Sequence, residues 1–433
     1  MNGRAMRRVA GLLQARLPEL DLEGVPDPRA REGRWALAQI LRATLVGLMA
    51  GCRSLWETEK LTESLPRASR RLLGLPRRLA DTTARDALCR VKLDALRAVL
   101  HRTVRAAWRR KSLIHSQQPL PIQVVALDGK VTAVPMLNQV FVQTQHPENG
   151  LPYGLVRTMT AALVSAPGRP CIDAIPIPAE TNEVGHFRYA FTSLVETYGD
   201  LFQLVSYDAG GFSRANADAV IAAKKHYLFA LKDEHRTMFR LAAELLATES
   251  VVARTEDVLG GGVTVIRALR LLRADPSWAY GEGKTPSESL WTHARVFLAV
   301  ESMKVHDGIV FERDERMYVS SLDPRRLTPA QWLLLVRSHW GVENQNHHTL
   351  DTAFAEDDRP WIEADANGML AVLVLRRIAY TLLALYRAVT LRSDDNRAMR
   401  WKDLLQRVRD TLVALTPEHL TDLRPRELAA ATR

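Results

Sequence analysis

Apolar positions in the first 115 residues recur every three to four places. Trp35, Leu37, Ile40, Leu41, Leu45 and Leu48 follow Asp27-Pro28 at helical spacing, which predicts a helix ending at Gly51. Ser54 is placed to cap a second helix through Trp56 and Leu61, and further helices are expected over Thr82–Leu100 and on into Trp108. The texture changes after Gln117-Gln118-Pro119. Short runs rich in β-branched residues follow at Ile122–Leu127, 155–165, 171–178, Leu201–Tyr207 and Tyr227–Leu231. Helical patterns stand among them at Glu183–Tyr198 and Arg214–Lys225. Strands alternating with helices predict an α/β layer.

Residues 250–320 read differently. Val263–Leu272, Trp291–Glu301, Gly308–Glu312 and Arg316–Ser321 look like strands, punctuated by Gly260-Gly261-Gly262 and Asp275-Pro276. This block is expected to be a β-rich insertion. Pro329 then opens a long helix through Trp332, Val336, Trp340 and Glu343, followed by an apolar helix over Met369–Leu385 and a basic amphipathic stretch over Met399–Leu415. The expected divisions are a basic helical domain at 1–115, a first part of the core at 116–245, the insertion at 246–315, the rest of the core at 316–390 and a basic helical tail at 391–433.

Composition narrows the class. With 433 residues, 47% hydrophobic and 25% charged, the chain is long enough for several units and too apolar for global disorder. Cys52, Cys89 and Cys171 are far apart, which excludes a disulfide framework or a cysteine zinc site and fits a reducing compartment. Arg16 stops the apolar stretch Val9–Ala15, so no secretory signal is read. The apolar runs Ala43–Cys52 and Met369–Leu375 fall short of the roughly 18 residues of a membrane helix. A soluble intracellular protein with no membrane partner is expected. The net charge of +10 is uneven: residues 1–115 hold 24 Lys/Arg against 11 Asp/Glu, and the rest hold 35 against 38. That asymmetry points to a polyanion, normally nucleic acid, at the N-terminal end; an arginine-rich solvated surface is the alternative.

Three acids stand out by placement. Asp128 and Asp208 each follow a buried-looking strand, where open α/β sheets place their sites, and each precedes a small residue, Gly129 or Ala209. A strand-end Asp also commonly opens a turn or caps a helix. Glu343 lies in a helical segment where His339, Glu343, His347 and Asp351 recur every four residues and would share one face. Such a face is either a solvated surface or a site. Three acids on two strands and a helix suit two-metal phosphoryl transfer, with Asp128 shared between two Mg²⁺ ions and Asp208 and Glu343 private to each. The histidines 339, 347 and 348 lack the HExxH pattern of a zinc enzyme. Gly260–Gly262 lacks the following Lys-Ser/Thr of a phosphate loop. Trp332 and Trp340 suit core packing or base stacking, and Lys130 and Lys232 suit solvent or phosphate.

Several motifs carry a resemblance. Ile122-Gln-Val-Val-Ala-Leu-Asp-Gly-Lys130 resembles the first-aspartate motif of DDE transposases of the ISAs/H-repeat insertion-sequence family. Glu180-Thr181-Asn182-Glu183 is similar to that family's K-S-N-E-I element. Ser206–Ala209 with Tyr227–Lys232 resembles the second-aspartate block, and Tyr318–Leu322 with Arg337–Asp357 resembles the glutamate block, the most specific of all. Asp27-Pro28-Arg29 and the helix up to Gly51 resemble the N-terminal associated domain, so the likeness covers about residues 25–385. It implies an RNase H-like catalytic core, with the β-rich insertion, preceded by an all-α N-terminal module. It also implies Mg²⁺ dependence, with Mn²⁺ as a substitute, and cutting and joining of double-stranded DNA at inverted repeats and target by a homo-oligomer in the bacterial cytoplasm, at the nucleoid.

By motif match the catalytic and metal-holding residues would be Asp128, Asp208 and Glu343. Lys130, Lys232, Arg337, His339, Asn344, His347 and Asp351 would support DNA binding. The chain departs from the family at Val131-Thr132-Ala133, where an arginine is usual, at Lys232-Asp233-Glu234-His235, and at Asn346-His347-His348. Two other readings therefore stay open: a catalytically silent DNA-binding relic or repressor, and a metal-dependent nuclease that does not join.

Overall fold

The computed structural model describes residues 3–29, 34–114, 119–208, 213–232, 236–274, 293–358, 360–391 and 393–421. Ala209, Asp233–His235, Trp291 and the Gln117-Gln118 pair lie outside the described residues. The fold is mixed α/β. Its strands in chain order are β1 (Val124–Pro135), β2 (Val142–Gln145), β3 (Tyr153–Leu163), β4 (Cys171–Ile177), β5 (Leu204–Tyr207), β6 (His226–Leu231), β7 (Val251–Val258), β8 (Val263–Arg273), β9 (Val296–His306) and β10 (Ile309–Ser320). The chain divides into two units. One comprises Met1–Ser116, Gly129–Asn182 and Glu343–Arg433, and the other Gln117–Asp128 and Glu183–Val342.

In the second unit, the start of β1 pairs parallel with β5, and β5 pairs parallel with β6. Val124–Leu127 and Leu204–Tyr207 are wholly buried, as central parallel strands covered on both faces must be. Ser213 caps the Arg214–Ala222 helix by accepting from the Asn216 amide, and that helix carries the chain from β5 towards β6. β10 pairs antiparallel with β6, and β9, β8 and β7 follow in antiparallel order. The block expected as an insertion therefore continues the sheet of its unit edge to edge. β7 carries no mark of a strand in its sequence, because its Arg-Thr-Glu-Asp centre is solvated and offers no apolar alternation.

In the first unit, the Ala366–Leu385 helix is the hub. It packs against the Leu93–Arg109 and Leu37–Met49 helices and against β4. Asp365 caps it by accepting from the Gly368 amide at 2.6 Å, so it begins three residues before the expected start. Taken to Thr390, this segment is long and apolar enough to cross a membrane, contrary to the expectation from its shorter apolar run, and it is buried inside the protein. Its Arg376 and Arg377 are buried with it. The helix expected through Thr82–Leu100 is two helices, Asp81–Leu88 and Leu93–Arg109. At the break the Asn367 side chain donates to the carbonyls of Leu88, Cys89 and Val91, which gives the interrupted helix end its partners.

A buried ion group fastens Leu93–Arg109 to β4. Arg97 donates to both carboxylate oxygens of Asp173, at 3.0 and 2.8 Å, and His101 Nε2 stands 3.1 Å away. Ser54 caps Leu55–Ser64 as expected, and Gly51, at a φ of +74°, ends the preceding helical stretch where most side chains would be strained.

Candidate active site

Register makes the centre of the site. Leu127 is the β1 partner of Tyr207, the last residue of β5. The next residue along each chain is an acid: Asp128 continues β1, and Asp208 lies just past the end of β5. Both are partly exposed, whereas the strand residues before them are fully buried. Asp128 was expected to end its strand; β1 instead runs on to Pro135 past the point where β5 stops. Asp128 is thus the first β1 residue beyond its parallel partner.

Two further groups of the second unit act on residues next to these acids. His339 is buried, with Nδ1 hydrogen-bonded to Ser206 Oγ at 3.1 Å, and Ser206 lies two residues before Asp208. Burial pushes the imidazole pKa below its ordinary value, against the opposing pull of Asp128 and Asp208. The histidine is therefore a neutral buried hydrogen-bonding group beneath the acids. Glu183 begins the Glu183–Tyr198 helix. Burial, followed by the charges of Glu183, Asp208 and Asp128, raises the Tyr207 phenol pKa well above normal. The Tyr207 ring stacks on Phe187, one helical turn after Glu183, at 5.3 Å between centroids. Glu183, whose charge reaches Tyr207 along with those of the two acids, is not among the residues that sequence reasoning singled out. The signal was present in Glu180-Thr181-Asn182-Glu183, but an acid in a first helical turn is ordinary.

Glu343 opens the last segment of the other unit and is exposed. The long helix expected to carry it is broken. Pro329–His339 is α-helical behind a Thr328–Gln331 capping box, Val342–His347 forms a wider π-helical turn, and His348–Thr352 is a short helix. A wide turn destroys the four-residue period, so the predicted shared face of His339, Glu343, His347 and Asp351 does not form. His339 and His347 are buried, Glu343 is exposed, and Asp351 is half-buried against Lys130. Glycine at 341, a poor helix former, directly precedes the wide turn.

The other expected DNA contacts are placed variously. Lys232 follows β6 and is exposed. Arg337 is held by Asp257 of β7 at 2.7 Å. The Asn344 side chain lies outside what the structure describes. Lys130 is buried among Asp351, Glu356 and Asp357, so its ammonium is not presented to a phosphate. Trp332 is core, and Trp340, partly buried, donates to the Tyr318 hydroxyl at 3.1 Å with the Arg316 guanidinium over its ring. Among the described residues, no three His, Cys, Asp or Glu side chains form a ready metal-binding group.

No protein-family model matches the chain, and no curated protein matches it. Among solved structures, it is similar to a piggyBac transposase synaptic complex with hairpin DNA, determined by cryo-electron microscopy. The TM-score is 0.41 and the identity 11%, over 98% of this chain and 81% of that one. A likeness this distant assigns neither fold nor function.

Proposed function

We propose that this chain is a DDE-type DNA transposase that cuts and joins double-stranded DNA at the inverted repeats of an insertion sequence. One observation carries the reading: Asp128 and Asp208 each directly follow the last paired residues, Leu127 and Tyr207, of two in-register parallel strands. Rigid neighbouring carboxylates of this kind are hard oxygen donors, and they fit Mg²⁺, or Mn²⁺ in its place, which takes few protein ligands and keeps its waters. A bound divalent ion would activate water or a 3′-hydroxyl and stabilise the leaving oxygen. Asp128 and Asp208 would hold it, and the motif resemblance alone nominates Glu343 as the third acid. The parallel β1, β5 and β6 strands, with an acid directly after the paired stretch of β1 and of β5, also support an RNase H-like core.

The chain's own residues divide the remaining tasks. His339 and Ser206 brace β5 beneath Asp208, and Glu183 adds its negative charge at Tyr207, the residue before Asp208. Exposed Lys232 and N-terminal arginines would take up phosphates. The test is nicking of DNA that carries the gene's own flanks, with Mg²⁺ or Mn²⁺, by wild type and Asp128→Asn. Metal-dependent cuts at fixed positions, followed by strand transfer and absent in the variant, are expected. Cutting without transfer would make the protein a nuclease, and binding without cutting would make it a silent DNA-binding protein.

A further inference from the structure

Lysine rarely lies buried, because its long stem lets the ammonium reach water. Lys130 is 8% exposed. Its Nζ pairs with Asp351, with Glu356 at 3.2 Å and with Asp357 at 2.9 Å. Glu356 in turn pairs with Arg377, which is fully buried in the middle of the Ala366–Leu385 helix. Arg376, beside it, lies over the Trp361 ring at 5.6 Å. Lys130, Glu356, Arg376 and Arg377 are thus buried together in one unit, while Asp351 is half-buried and Asp357 stands at the exposed edge of the group. Burial alone would raise the Glu356 carboxyl, but Arg377, Lys130 and Arg376 together hold it at about 2.

The group joins two stretches that matter to the proposed chemistry. Lys130 stands two residues after Asp128 on the same strand, and Asp351, Glu356 and Asp357 belong to the segment that opens with Glu343. We propose that Lys130 is a positioning residue, whose ammonium fixes the backbone just beyond Asp128 against the 351–357 loop instead of contacting DNA. Asp351 is its partner in that role. The proposal rests on the transposase reading for its consequence in catalysis and on the ion group alone for its structure. A misplacement of about 1 Å at reacting groups is enough to slow a reaction about 100-fold.

The test compares full-length wild type, Lys130→Met, Lys130→Arg, Asp357→Asn and Asp128→Asn. Hydrogen–deuterium exchange is read in peptides covering 129–135 and 348–357. DNA affinity is measured across salt concentrations, and metal-dependent cleavage at saturating DNA. Lys130→Met is expected to speed exchange in both peptides and to cut cleavage about 100-fold, with affinity and its salt slope unchanged. Lys130→Arg should restore most of the rate, and Asp357→Asn should fall between. Should Lys130→Met fail to fold, the arginine and Asp357→Asn variants carry the same comparison. Unchanged exchange in 348–357 would overturn the proposal. So would weaker binding with a salt slope smaller by about one, which is the mark of a cation that had neutralised a phosphate. A wild type that cuts no DNA would overturn the transposase reading, while exchange and salt slope still decide the tie.

Discussion

Asp128 and Asp208 illustrate how a single register fixes chemistry. A slip of one residue between β1 and β5 would turn one carboxylate to the opposite face of the sheet, since side chains alternate. Each acid is therefore expected to be separately indispensable: Asp208→Asn, like Asp128→Asn, should lose metal-dependent cleavage while keeping DNA affinity, measured by nicking and by gel shift. Asp173 belongs to stability instead. Burial would raise its carboxyl, but His101 and Arg97 hold it at about 2. Its folded pKa thus lies below the unfolded value of about 3.9, so its contribution is present above pH ~4 and is lost as pH falls towards 2. Glu356 adds a second contribution over the same acid range. Together these are worth on the order of a few kcal/mol. Asp173→Asn, which leaves Arg97 without its buried counter-ion, should cost about 3–5 kcal/mol near neutral pH. Urea unfolding between pH 7 and pH 3 checks both, and wild type and variant should converge as the pH drops.

Elements show where sequence reasoning reaches and where it stops. The Glu183–Tyr198 helix and the three parallel strands were legible because buried apolar runs and helical spacing leave plain marks. Asp128 and Asp208, which directly follow the apolar runs of β1 and β5, were legible for the same reason. Pairing was not: nothing in Val124–Leu127 or Leu204–Tyr207 announces that the two strands lie side by side in register. The wide turn at Val342–His347 was equally hidden, because periodicity assumes an unbroken helix. That turn buries Asn346 completely, with neither side-chain atom hydrogen-bonded among the described residues. An unsatisfied buried amide costs about 1–3 kcal/mol. Asn346→Leu, of similar size, should therefore raise the unfolding midpoint of the protein. If the turn shapes the Glu343 segment for catalysis, the same variant should cleave more slowly, and calorimetry beside a nicking assay separates the two effects.

At the scale of the whole molecule, the excess positive charge of residues 1–115 divides into two populations. Arg29, Arg42, Arg70, Arg97, Arg102 and Arg110 bind carboxylates or carbonyls of their own unit, so part of the basic composition holds the fold. Arg67, Arg71, Arg85 and Arg109 are exposed and stand as the cations available to a polyanion. Binding to DNA should follow the second population only. Replacing those four by glutamine lowers the net charge from +10 to +6. Each phosphate that is no longer neutralised should reduce the slope of log affinity against log salt by about 0.9. Arg70→Gln is the single-charge control: it removes one positive charge from a side chain occupied with the carbonyls of Thr62 and Leu65, and should lower stability more than affinity. Were the fourfold variant to bind with an unchanged slope, the N-terminal charge would be only a solvated surface, and the DNA-binding cations would have to be sought around Lys232 and the acids instead.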